Sequence, residues 1–169
     1  MNFLAAIEQL QFSTWIREGG SIWGYATVLF MHGVGMAMVA GFSAVIDLRL
    51  LGFAPRVPVK PLEQLYPLMW SGFVINLISG SILLMADATT KLTNWDFYVK
   101  MIFVFAGVAL LKIMRRKVFG NPDLDRGPLP GSAKSLAWVS LFCWIAAVTA
   151  GRLLAYVGPV SGLPGQVNH

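Results

Sequence analysis

Four stretches of this chain are apolar for long enough to cross a bilayer, and that fixes the class of fold before any single residue is considered. A hydrocarbon core of about 30 Å needs about 20 mostly apolar residues per helix. Residues 22–46, 65–86, 97–113 and 136–157 supply four such stretches. The third is the shortest, but Trp95 and Tyr98 pad its start, and Lys100 is long enough to snorkel there. The connections are short, and the last holds the turn formers Asn121-Pro122-Asp123 and Gly127-Pro128-Leu129-Pro130-Gly131. Lipid offers the backbone no hydrogen bonds, so spans of this kind are helices. The expected fold is therefore an all-α membrane protein: one domain over residues 1–169, a four-transmembrane-helix bundle.

Composition narrows the function. Apolar residues make up 56% of the chain and charged residues 12%, against about 25% charged in soluble domains. A soluble globule, a disordered chain and a nucleic-acid binder are excluded. The net charge of +5 comes from 13 basic and 8 acidic residues scattered between apolar runs rather than gathered on one face. The first partner is thus the lipid bilayer. A single cysteine, Cys143, rules out an internal disulfide or a multi-cysteine zinc site. Of the two histidines, His32 lies inside a span and His169 at the C-terminus.

Residues 1–20 read as an amphipathic interfacial helix. Phe3, Leu4, Ile7, Leu10, Gln11 and Trp15 recur at three- to four-residue spacing, and Gly19-Gly20 turns the chain into the bilayer. The segment is not a signal peptide, because it lacks a basic start and Glu8, Gln9 and Gln11 interrupt its apolar run. Orientation follows from the basic residues. Nine of them lie after spans one and three, against four on the opposite side: Arg17, Lys91, Lys100 and Arg152. Both termini are expected on the outer, periplasmic side of a bacterial inner membrane. Trp15, Trp23, Tyr25, Trp95, Tyr98 and Tyr156 form an aromatic belt at that level.

Polar groups inside the spans are the candidate sites, because they are costly in lipid and tend to face the bundle interior. At about 100° per residue, Tyr25, His32, Ser43 and Asp47 share one face of the first helix. His32 sits roughly 15 Å down it, near the midplane. It is a candidate axial ligand, proton relay, metal ligand or packing residue. Met31, Met36 and Met38 flank it with soft sulfur, which raises Cu(I) as a metal. Arg152 and Lys100 lie at similar depth near the outer end and suit an anionic group or simple snorkelling. Gly33, Ala37 and Gly41 on span one, and Gly72, Asn76 and Gly80 on span two, recur every four residues and read as helix-packing seams. Asp47 and Arg49 at the inner end of span one read as an interfacial ion pair. No hydrolase, metalloprotease or phosphate-loop motif occurs, and no acid lies at midplane for a proton-coupled transporter.

Trp23-x-Tyr25, Met31-His32-Gly33-Val34-Gly35, Val45-Ile46-Asp47-Leu48-Arg49-Leu50-Leu51-Gly52 and Ala150-Gly151-Arg152-Leu153-Leu154-Ala155-Tyr156 together resemble a family of uncharacterised bacterial four-helix inner-membrane proteins. The resemblance implies the fold and an inner-membrane location, and no activity. A weaker likeness, confined to the span around His32, is to copper-resistance membrane proteins and four-helix b-type cytochromes, which use several intramembrane histidines. Two functions are expected from the residues. The first is a non-catalytic accessory or anchoring subunit, joined to other membrane subunits or to copies of itself. The alternative is a haem b electron carrier, with His32 as axial ligand and Lys100 and Arg152 at the propionates.

Overall fold

Apolar composition alone makes the helices; what ends and aligns them is local. The computed structural model describes residues 22–121 and 130–156. Every regular element among them is helical. The four long helices are α1 (Ile22–Leu51), α2 (Tyr66–Ala86), α3 (Trp95–Met114) and α4 (Gly131–Tyr156). The membrane-capable stretches run 28, 27, 25 and 23 residues. At about 1.5 Å per residue each exceeds the hydrocarbon thickness. The expected all-helical character holds among the described residues, with four helices long and apolar enough to cross a membrane.

The boundaries differ from the sequence reading in instructive ways. Helix α1 runs on past Ile46 to Leu51, and Asp47 does not end it. It stops where Gly52 takes a φ of 107°, which an L side chain rarely adopts. Phe53 N–H then donates to the Leu48 carbonyl at 3.0 Å and Gly52 N–H to that of Arg49 at 3.1 Å. That pair of bonds is a Schellman cap. A 3-10 helix, Lys60–Leu65, leads directly into α2, with proline in the first turn of each. A short helix, Ala88–Leu92, turns the chain into α3, whose start is capped by Asn94 accepting from Asp96 N–H at 2.9 Å. Beyond Met114 the helix continues as a π turn, Arg115–Phe119. Helix α4 begins at Gly131, five residues before the apolar run. The amphipathic helix expected at residues 1–20 lies outside the described residues.

Helix α1 packs along α2 and along α4, and α3 packs along α4, whereas α2 and α3 barely meet along their lengths. For reference, the near end holds the start of α1 and the α2–α3 connection. The far end holds the α1–α2 connection and the end of α3. The apolar core is concentrated toward the far end, around Ile46, Leu50, Tyr66, Met69, Met114 and Ala137. Large apolar side chains such as Phe30, Ile78, Ile102, Phe105, Trp138 and Phe142 are more than half exposed on the bundle's outside. Such a surface is stable in lipid and a liability in water.

The close crossing of α1 and α2 is made by Gly35 and Gly72. A Cβ on Gly35 would lie 2.7 Å from the Asn76 nitrogen and 2.8 Å from the Gly72 oxygen. A Cβ on Gly72 would lie 2.6 Å from that of Met38. The seam expected on Gly33, Ala37 and Gly41 is therefore displaced. All three are exposed, and a Cβ on Gly33 or Gly41 would meet nothing within 4 Å. The reason is phase: Gly33 and Gly35 stand about 200° apart on the helix, and only one can face α2. On α2 the expected line is the seam, since Gly72 meets α1, Asn76 bonds it, and Gly80 lies under the His32 ring.

Candidate functional site

The polar residues of the spans gather in two clusters, one toward each end. Helix α1 contributes His32 to the near cluster, α2 contributes Asn76 and Ser79, and α3 contributes Lys100. The hydrogen bonds run in one direction. Ser79 Oγ–H donates to the Ile75 carbonyl at 2.6 Å, so toward His32 it presents a lone pair. His32 Nδ1–H donates to that oxygen at 3.2 Å. Nε2 then carries no proton, and it accepts from Lys100 Nζ at 3.3 Å. Asn76 Nδ2–H donates to the backbone carbonyl of His32 at 2.8 Å, tying α2 to α1 a second time. Gly80 makes room for the ring: a Cβ there would lie 3.0 Å from His32 Cε1. Lys100 in turn lies against Gly151 of α4, 3.5 Å from where a Cβ would be. One imidazole thus links α1, α2 and α3, and the lysine that reaches it from α3 packs against α4.

This arrangement answers the haem expectation geometrically. An axial ligand offers Nε2 or Nδ1 to iron. Here Nδ1 is held by Ser79 and Nε2 by Lys100. The haem reading puts Lys100 with Arg152 at a propionate, nearer the outer end than His32. Lys100 lies instead against the imidazole itself. The residues present fit a histidine clamped between a hydroxyl and an amine better than one offered to a metal. Arg152, expected beside Lys100 on one anion, is exposed on α4 next to the glycine that Lys100 covers. The methionines do not converge on His32: Met31 is exposed, Met36 packs against the core and Met38 lies over Gly72. Among the described residues no three His, Cys, Asp or Glu side chains come together as a metal site.

The far cluster corrects the expected Asp47–Arg49 ion pair. Asp47 is fully buried, with Ser43 Oγ donating to its Oδ2 at 3.3 Å and Ser43 and Ser140 Oγ 3.3 Å apart. Arg49 points the other way and donates to the backbone carbonyls of Val57 and Pro55 in the following turn. Residues two apart on a helix face opposite sides, so the pair was never within reach. Asp47 Oδ1, Tyr66 OH and Trp144 Nε1 are buried without a hydrogen-bond partner among the described residues. Asp87 is paired with Lys91 at 3.4 Å, one turn along the chain.

Sequence reasoning missed Ser79, Ser140 and Gly35. A signal for Ser79 exists, since it follows Asn76 by three residues and shares its face. Ser140 has no such neighbour to announce it. Against known protein families, curated proteins and solved structures, the chain gives no match.

Proposed function

We propose that the chain is a non-catalytic, multi-span protein of the bacterial inner membrane, an accessory or anchoring subunit of a larger membrane complex. In this reading both termini face outward and residues 1–20 lie along the membrane surface. The observation that carries it is the near cluster. Its hydrogen-bonding groups are spent on one another across the helices, leaving His32 no free nitrogen for a ligand. Polar groups used this way are glue between spans.

A second feature supports the subunit reading. The Gly33-Ala37-Gly41 line lies open on α1, and Phe30, Val45 and Leu48 on the same face are exposed. Small residues in line let another helix approach closely. A transmembrane helix of another subunit suits that face. The resemblance to uncharacterised four-helix inner-membrane proteins, which rests on motifs alone, agrees with the location and adds no chemistry.

The test is a reduced-minus-oxidised visible spectrum of detergent-purified protein expressed with ample haem, with His32→Ala alongside. The expected result is no Soret or α band in either protein. His32→Ala should still insert and fold, with stability lowered by about 1–2 kcal/mol through the lost interhelical bonds. A Soret band that disappears with His32 would overturn this reading in favour of the electron carrier.

A further inference from the structure

At the far end, between α2 and α3, a cleft of about 450 Å³ is walled by Tyr66, Trp70, Leu111, Lys112, Arg115 and Arg116. We propose that it binds the phosphate headgroup of an anionic phospholipid. The site is separate from the His32 cluster, and the proposal stands whether or not the subunit reading does.

The wall is built in two levels. Arg115 and Arg116, both exposed, form the outer rim, with the buried Tyr66 ring beneath Arg115. Trp70, Leu111 and Lys112 lie about one turn deeper, roughly 5 Å further into the bilayer. The rim offers cations where a headgroup sits, and the deeper wall offers an indole and a leucine where glycerol and the first acyl carbons begin. A phosphate free in water would leave that apolar wall unused. Because α2 and α3 barely touch along their lengths, the cleft is reached sideways from the lipid.

The cations are held in place. Lys112 Nζ stands 5.5 Å from the centre of the Trp70 ring, and the Arg115 guanidinium 5.5 Å from that of Tyr66. Such contacts order long side chains before a ligand arrives. Glu63 neutralises part of the rim by accepting from Arg115 Nε at 3.3 Å, the one ion pair of that guanidinium among the described residues, and its two terminal nitrogens each keep N–H donors. Lys112 and Arg116 carry no such ion pair among those described. Three cations against one carboxylate leave a net attraction for a phosphodiester. The excess of basic residues at this end places the cleft, by the positive-inside bias, in the cytoplasmic leaflet, where anionic lipids concentrate.

The experiment is thermal unfolding of the full chain in dodecyl maltoside, with phosphatidylglycerol, phosphatidylcholine or water-soluble glycerol phosphate added. Phosphatidylglycerol should raise the midpoint by about 4 °C over phosphatidylcholine. Lys112→Gln/Arg116→Gln should lose at least about half of that shift, measured against its own lipid-free midpoint. Lys117→Gln, an exposed cation outside the cleft wall, should keep it. Equal shifts with both lipids, or an unaltered shift in the double variant, would overturn the proposal. So would an equal loss with Lys117→Gln, which would mean diffuse surface charge. A shift reproduced by glycerol phosphate alone would replace the lipid with a soluble phosphate. Should the double variant not fold, native mass spectrometry of the wild type with equal amounts of both lipids decides. Selective retention of phosphatidylglycerol is expected, and unselective or absent retention refutes the site.

Discussion

Gly35→Val should break the α1–α2 crossing, while Gly33→Val, two residues away, should leave the bundle standing. A side chain at position 35 would drive its Cβ to 2.7 Å from a backbone nitrogen and 2.8 Å from a backbone oxygen of α2. Neither atom can rotate aside. The helices must separate, and the Asn76 bond to the His32 carbonyl and the Ser79–His32 bond part with them. Overpacking of a tight site costs about 1–3 kcal/mol and sometimes more. With the lost interhelical bonds added, Gly35→Val belongs at or beyond the top of that range. At position 33 the new side chain meets open space. There the substitution also removes a helix-interior glycine, so its effect should be neutral or slightly favourable. Unfolding of both variants in mixed detergent micelles measures the difference. Equal losses would mean that the crossing is not where the structure places it.

Trp144→Ala should be the most damaging truncation in the second helix pair. Trp144 is only 3% exposed, and its ring lies on Gly107, where a Cβ would come within 2.9 Å. Gly107 is thus the flat face on α3 that receives the indole. Removing a buried Trp from a soluble core costs about 3–5 kcal/mol. In lipid part of that vanishes, because an exposed apolar group loses little there. The unfilled void between α3 and α4 still forfeits its dispersion contacts. The expected loss is about 2–3 kcal/mol by the same unfolding assay. Trp144→Phe should cost less, since it keeps most of the ring and removes an indole N–H that is buried without a partner. A Trp144→Ala variant as stable as the wild type would contradict the α3–α4 packing.

Hydropathy was sufficient to find the four long apolar helices, because a bilayer demands length and apolarity and little else. The inward face of α1 was legible too: His32, Ser43 and Asp47 fall together by helical arithmetic and are turned into the bundle. Tyr25, on the same line, is exposed at the near end, where the bundle no longer covers it. What sequence could not give was the phase between helices. Gly33 and Gly35 are equally small, and which of them meets α2 depends on a partner surface no single helix encodes. From sequence alone a charge at position 47 looks like an interface, and so like the end of α1. The structure buries Asp47 beside serines, one of them on another helix. Lys100 was assigned to an anion with Arg152 on depth alone. Its inward reach to His32 depends on Gly151, whose missing side chain leaves the passage open.

As a subunit, this bundle would join its complex through the open α1 face. The most direct measurement is the native mass of the tagged chain after gentle detergent extraction from its own membrane, for wild type and Gly41→Leu. Gly41 is exposed with no atom within 4 Å of a Cβ, so the substitution should spare the fold. The wild type is expected to run in an assembly well above 18.5 kDa, with another polypeptide in fixed proportion. Gly41→Leu should run as the free chain with an unchanged unfolding midpoint. A wild-type chain that runs alone, or only with copies of itself, would contradict the account.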